Sequence, residues 1–295
     1  MNTLIVALPG AQELGECLAA QLQCSVSVLD DHRFPDGEQL VRLRTEVAGC
    51  RVVLVAHLDR PNDKTLSLLF AADVARELGA VEIGLVAPYL PYMRQDARFR
   101  PGEAITSRSY ARLLSSALDF LVTVDPHLHR WKSLDEIYPI RTRVVAAAPA
   151  IAEWLSRTLP ACILVGPDSE SAQWVGDVAA RIGAPFVVME KERSGDREVR
   201  VRLPEGCDPQ GRTPVLLDDI ISTGRTLAAA AQALRTAGWV RPLAVAVHAL
   251  LQPEDEQALH RAGVTRIISC DTVPHASNAI SVRGLLGDAV RALVT

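Results

Sequence analysis

The chain has 295 residues, of which 48% are hydrophobic, 22% charged and only 4% aromatic. That length supports two ordinary domains with cores of Val, Leu, Ile and Ala, and the composition excludes disorder. Acidic residues outnumber basic ones, 35 to 31, and the resulting net charge of −4 excludes a generally basic nucleic-acid binder.

In chain order, short aliphatic runs alternate with longer amphipathic ones. Strands are predicted at 3–8, 26–29, 52–58, 81–87, 119–124, 162–166, 185–189, 214–218, 240–249 and 265–270. Helical spacing of apolar residues occurs at 11–22, 65–78, 106–117, 149–158, 170–182, 224–237 and 254–262. Continuous apolar strands alternating with helices predict an α/β fold with mostly parallel, helix-covered sheets. Segments 52–88 and 214–250 share one pattern: strand, polar loop, Ala-rich helix, a glycine (Gly79, Gly238) placed to end the helix, and a second strand. We read two similar α/β domains, 1–145 and 146–295, although any two βαβ units share much of this pattern. Six scattered cysteines with no Cys-x-x-Cys pair point to reduced thiols. The N-terminal MNTLIVALPG lacks a basic n-region, and apolar stretches such as Leu243–Leu251 fall short of a membrane span. The expectation is a cytoplasmic protein without membrane or nucleic-acid partners.

The strongest local signal is the run from Val215 to Thr226, VLLDDIISTGRT. A hydrophobic strand ends in Asp218 and Asp219, and a short loop with Ser222, Thr223, Gly224 and Thr226 opens an Ala-rich helix. Unpaired N–H groups, a positive helix end and added hydroxyls suit a phosphate there, and Gly224 lets the backbone close around it. Two carboxylates would repel a phosphate, so they must serve sugar hydroxyls or a metal. A plain helix capped by Ser222 or Thr223 is the competing reading.

This segment resembles the phosphoribosyl-pyrophosphate loop of type I phosphoribosyltransferases and of ribose-phosphate pyrophosphokinases, and other motifs favour the second family. Phe34-Pro35-Asp36-Gly37-Glu38 resembles its adenine-holding element, and Tyr92-Met93-Arg94-Gln95-Asp96, followed by Glu103-Ala104-Ile105-Thr106, resembles its Tyr-x-Arg-Gln-Asp region. Asp125-Pro126-His127, Pro167-Asp168, Thr272–His275 and Ile280–Val282 match further elements in order. There is no G-x-x-x-x-G-K-[ST] motif, so ATP would not be held by a P-loop.

The resemblance implies two phosphoribosyltransferase-like domains and the transfer of pyrophosphate from ATP to ribose 5-phosphate. Phe34, Asp36, Glu38, Arg94, Gln95 and Asp96 would bind ATP. Asp218, Asp219, Ser222, Thr223, Gly224 and Thr226 would bind ribose 5-phosphate. Mg2+ is implied, with His127 and Asp168 near it and His129 structural, His127 and His129 lying on one face of an extended segment. Only three of the 31 basic residues are lysine (Lys64, Lys132, Lys191), and Lys191 with Arg193 matches the family's mobile catalytic loop. That loop is short here, and DDIISTGRT replaces the commoner bacterial DDIIDTAGT, so the chain is closer to archaeal-type members. The family also implies a homo-oligomer, dimer or larger, with residues 34–38 against a neighbouring subunit's ATP. A phosphoribosyltransferase and a non-catalytic regulatory subunit remain as alternatives.

Overall fold

Two runs of strands separated by helices build two sheets, and the computed structural model describes residues 2–194 and 198–294, with the side chains of 191–200 outside the description. The first unit comprises residues up to Val145 together with the segment from Arg283 on; the second is Ala146–Val282.

In the first unit, β1 (Thr3–Ala7), α1 (Gln12–Leu22) and β2 (Ser25–Val28) are followed by a hairpin of β3 (Asp30–Arg33) and β4 (Gln39–Arg42). Then come β5 (Arg51–Val55), α2 (Pro61–Glu77), β6 (Glu82–Val86), α3 (Thr106–Ser115), β7 (Phe120–Val124) and β8 (Arg141–Val145). The six-stranded sheet has the order β2-β1-β5-β6-β7-β8, and every neighbouring pair is parallel. Helix α2 starts at Pro61, four residues before the apolar spacing becomes visible, because proline is preorganised for the first helical position.

The second unit runs α4 (Ala148–Thr158), β9 (Cys162–Gly166), α5 (Ala172–Ile182), β10 (Phe186–Val188), β11 (Glu190–Ser194), β12 (Glu198–Arg202) and β13 (Thr213–Ile221). It continues with α6 (Arg225–Thr236), β14 (Leu243–Ala249), α7 (Pro253–Ala262), β15 (Arg266–Cys270) and β16 (Asn278–Ile280). Its parallel sheet has the order β10-β9-β13-β14-β15-β16. The β5–α2–β6 and β13–α6–β14 segments therefore occupy equivalent places in two sheets of identical connectivity, as the shared sequence pattern suggested. In each sheet the chain first adds a strand on one side of the starting strand and then moves to the other. The crevice at that reversal, outside the carboxyl ends of the strands, is where open α/β sheets take ligands.

Both cores are aliphatic. The first packs Leu54, Leu68, Leu85, Leu114 and Leu121 around the sheet, with Tyr110 and Tyr138 as its buried aromatics. The second packs Val165, Leu216, Leu227, Leu234 and Leu259 around Trp239. Each such side chain stabilises the fold by about 1.5–3 kcal/mol.

Five features were not predicted: the β3–β4 hairpin, β8, the β11–β12 hairpin, β16 and the last helix, α8 (Arg283–Val294). Helix α8 belongs to the first unit, not to the second domain where the sequence reading placed it. It buries Leu286, Gly287, Ala289 and Val290 and packs on α1, β7 and β8. A Cβ at Gly287 would lie 2.0 Å from Gln21 Oε1, so the end of the Gln21 side chain would have to move to admit one. Gln21 Nε2 donates to the Gly284 carbonyl and to Asp288, both at 2.9 Å. No helix among the described residues is long and apolar enough to cross a membrane, and all six cysteines are free thiols.

Candidate active site

In the second unit, β13 is buried from Pro214 to Leu217, half-buried at Asp218, Asp219 and Ile220, and buried again at Ile221. Each acid accepts the next residue's backbone N–H: Asp219 N donates to Asp218 Oδ1 at 3.0 Å, and Ile220 N to Asp219 Oδ1 at 2.7 Å. These bonds fix both carboxylates on the strand end. Burial pushes the Asp218 carboxyl well above its ordinary range, and the negative charges of Asp219 and Asp168 add to the effect. Three acids converge here, and they suit hydroxyl donors or a cation.

Asp168 follows β9 and caps a short 3-10 turn, its Oδ1 accepting from Glu170 N at 3.1 Å and Ser171 N at 3.3 Å. The two acid-bearing strands, β9 and β13, flank the point where the sheet order reverses.

The loop after β13 holds Ser222, half-buried, and Thr223, exposed. The residue that caps α6 is Gly224, with φ +64° and no side-chain cap, so neither Ser222 nor Thr223 takes the capping role. The first intrahelical bond runs from Ala228 N to Gly224 O at 2.8 Å. The N–H groups of Arg225, Thr226 and Leu227 precede it and face the loop end of the helix, where the dipole is positive. Exposed Thr226 adds a hydroxyl in this first turn. A Cβ at Gly224 would sit 3.0–3.2 Å from the Leu259 side chain of α7, so the loop is pressed onto the core. A helix start of this kind is suited to an anion, and here it lies beside paired carboxylates.

Lys191 and Arg193 lie in β11, whose backbone pairs antiparallel with β12, Lys191 opposite Val201 and Arg193 opposite Val199. A hairpin replaces the predicted polar loop, and both side chains fall outside the described residues.

In the first unit, Phe34 to Glu38 form the tip of the β3–β4 hairpin. Gly37 N donates to Phe34 O at 2.9 Å and Phe34 N to Glu38 O at 2.8 Å. Asp36 Oδ1 accepts from Glu38 N at 3.1 Å, closing the turn. Phe34 is 40% exposed and meets His32 edge-on, with ring centroids 4.9 Å apart.

Arg94 is exposed and Gln95 half-buried in an irregular segment after β6. Asp96 turns inward: it is 4% exposed and accepts from Arg130 Nη1 at 2.8 Å. Asp96, expected at the ATP site with Arg94 and Gln95, is thus buried and paired with Arg130. Arg130, which the sequence reading missed, also lies over the Phe99 ring at 5.0 Å. A buried acid always needs a partner, and that need was the available signal.

His127 and His129 do not lie on an extended segment. Asp125 and His127 take positive φ values of 33° and 39°, and His127 N donates to Asp125 O at 2.9 Å, a chain of tight turns. The rings still meet, His129 Nε2 standing 3.2 Å from His127 Nδ1.

Comparison with known proteins identifies the family. Residues 3–117 match the model of the N-terminal domain of ribose phosphate pyrophosphokinase, and residues 133–283 match that of the phosphoribosyl transferase domain. The ribose-phosphate pyrophosphokinase of Methanopyrus kandleri is 36% identical over 98% of this chain and 99% of its own length. That of Methanothermobacter thermautotrophicus is 32% identical over 98% and 100%. The crystal structure of phosphoribosylpyrophosphate synthetase from Mycobacterium smegmatis superposes with a TM-score of 0.88 at 26% identity, covering 99% of both chains. With both domain models matched in order and the relatives aligned from end to end, the chain belongs to the ribose-phosphate pyrophosphokinase family.

Proposed function

We propose that the chain transfers the pyrophosphoryl group of ATP to the 1-hydroxyl of ribose 5-phosphate, giving 5-phosphoribosyl 1-pyrophosphate and AMP. Beyond family membership, the observation that carries this reading is the uncapped start of α6 at Gly224, directly after the Asp218–Asp219 strand end. The 5-phosphate takes the N–H groups and hydroxyls of Ser222 to Thr226, and Asp218 and Asp219 accept from the ribose hydroxyls.

In the reaction, the sugar's 1-oxygen bonds to the β-phosphorus. The bond from that phosphorus to the oxygen shared with the α-phosphorus breaks, AMP leaves with the oxygen, and the hydroxyl proton passes to solvent. The protein's work is positioning and charge neutralisation. Arg94 and Gln95 bind the triphosphate side of ATP, and Lys191 and Arg193 meet the β- and γ-phosphates as charge develops. Asp96 acts through Arg130.

The donors fit a magnesium ion. Asp168 is a carboxylate fixed by two backbone N–H groups, the hard oxygen that magnesium prefers, and acidic neighbours surround Asp218. His127 presents Nδ1 to His129, so its contact to a metal-bound water would come through Nε2. Bound magnesium offsets charge on the phosphate oxygens.

The exposed hairpin tip supports an assembly of at least two copies, with Phe34, Asp36 and Glu38 serving the ATP of a neighbouring subunit. Six free thiols support a cytoplasmic location. The test is incubation with ribose 5-phosphate, magnesium and ATP. Equal amounts of AMP and 5-phosphoribosyl 1-pyrophosphate are expected. No AMP in the presence of all three would leave the regulatory-subunit reading in its place.

A further inference from the structure

We propose that Glu103 is the positioning residue of the ATP-binding segment, holding Gln95 and the turn 98–100 in the arrangement that receives the triphosphate. The proposal rests on Arg94 and Gln95 being ATP contacts.

Residues 91–105 contain no helix or strand, so no regular ladder sets their backbone. One carboxylate does. Glu103 Oε2 accepts three donors: Phe99 N at 2.9 Å, Arg100 N at 3.0 Å and Gln95 Nε2 at 3.3 Å. The Glu103 carbonyl accepts from Arg98 Nε at 3.1 Å, and Glu103 N donates back to Arg100 O at 3.3 Å. Gln95 Nε2 also donates to the Ala97 carbonyl at 3.3 Å, and Glu103 is the side chain that ties this amide to the turn 98–100.

An ionised carboxylate is suited to this because it only accepts, and converging N–H groups find no competing donor. It also carries the charge the segment needs. Arg94, Arg98 and Arg100 are all exposed within seven residues, and like charges so close repel in the absence of a polyanion. A negative centre among them lets the segment stay assembled until the triphosphate arrives.

The other end is anchored independently. Asp96 is held by Arg130, and Ser107 N donates to Gln95 O at 3.3 Å. Losing Glu103 should therefore loosen the Gln95 side chain and the 98–100 turn without unfolding the unit. Arg94 and Gln95 are where the ligand is bound; Glu103 acts through them.

The experiment measures kcat and both KM values for the full chain carrying Glu103→Ala and Glu103→Gln. Loss of two or more hydrogen bonds to a charged acceptor predicts an ATP KM raised roughly tenfold or more in Glu103→Ala. The ribose 5-phosphate KM should be unchanged and kcat at saturating ATP within about threefold. Glu103→Gln keeps one carbonyl oxygen and should recover part of the ATP affinity. Should Glu103→Ala fail to fold, an ATP KM of Glu103→Gln above wild type supports the role and a wild-type value overturns it. An unchanged ATP KM in folded Glu103→Ala, or equal rises for both substrates, overturns the proposal. Arg94→Ala and Gln95→Ala are measured alongside. If they too leave the ATP KM untouched, the placement of the ATP site is at fault, not the role of Glu103 within it.

Discussion

Replacing Gly224 by alanine adds one methyl group where the structure has two reasons to refuse it. The backbone sits at φ +64°, a left-handed conformation that costs a residue with a Cβ roughly 1–2 kcal/mol. The methyl would also lie 3.0–3.2 Å from Cγ, Cδ1 and Cδ2 of Leu259, a fully buried side chain with little room to yield. Overpacking of this kind costs about 1–3 kcal/mol, so the two effects together reach about 2–5 kcal/mol. Where the loop relieves the strain by leaving its folded shape, the binding of ribose 5-phosphate carries the loss. At about 2 kcal/mol that is roughly a 30-fold weaker affinity. Where the loop holds its shape, stability carries it, and Tm falls by about 4–8 °C at the same energy. Calorimetric titration with ribose 5-phosphate and thermal unfolding, run on the same preparation, capture both routes. Gly224→Asn separates the causes, because Asn tolerates the left-handed region while placing the same Cβ against Leu259. A milder defect in the Asn variant assigns the cost to the backbone; equal defects assign it to the contact. Wild-type affinity together with wild-type Tm in Gly224→Ala would refute the argument that this turn is shaped for the phosphate.

Lys191→Ala should lower turnover by about 2.7–4 kcal/mol of transition-state energy, with little change in ribose 5-phosphate affinity, and near-wild-type steady-state turnover would remove Lys191 from the chemistry. Thr226→Ala and Asp219→Asn should each weaken ribose 5-phosphate more than ATP in paired binding titrations; equal losses would show that the sugar-phosphate seat lies elsewhere. The Asp218 carboxyl is pushed up by burial and by Asp219 and Asp168, so the folded protein holds its proton at a pH where the unfolded chain has released it. Its contribution to stability therefore falls as pH rises from about 4 through the raised value. Asp218→Asn should flatten that part of the ligand-free melting profile, and an unchanged slope would contradict the shift. Leu286→Ala opens a cavity under α8, at a fully buried position. It should cost about 2–5 kcal/mol in denaturant titration, whereas a loss under about 1 kcal/mol would mean that α8 contributes little to the first unit.

The buried parallel strands were legible because both faces are covered, which makes them continuous aliphatic runs such as Leu4–Ala7 and Val52–Val55. The phosphate loop was legible for a related reason: a strand, a glycine and a helix start are local signals. Short, mostly polar strands were not. Strands β3 and β4 read DDHR and QLVR with mostly exposed side chains, so no period-2 pattern marked them. Helix α8 is interrupted by Gly284 and Gly287, poor helix formers, and its packing partner α1 lies far away in sequence. Asp96 and Glu103 illustrate the same limit at the site. The family resemblance assigned Asp96 to ATP and matched Glu103 to a motif, but that Asp96 faces Arg130 while Glu103 gathers three N–H groups depends on where an irregular segment folds back on itself. The turns at Asp125 and His127 were misread because non-glycine residues rarely take positive φ, and no local pattern announces it.

The return of α8 to the first unit has a consequence for synthesis. That unit is discontinuous in the chain: it is left at Val145 and closed only by residues 283–294, whereas the second unit is one continuous stretch. A ribosome therefore makes the first unit's sheet early and its last packing partner late. Until α8 appears, the surface of α1, β7 and β8 that it covers stays open, and the guanidinium groups of Arg51 and Arg141 lack the Val294 and Leu293 carbonyls they bond in the finished fold. Domains usually fold in the order they are made. Here the later-made domain can be complete first, and the earlier one closes only once residues 283–294 have been made. A released chain truncated after residue 282 should show a protease-resistant second unit and a first unit still open to cleavage.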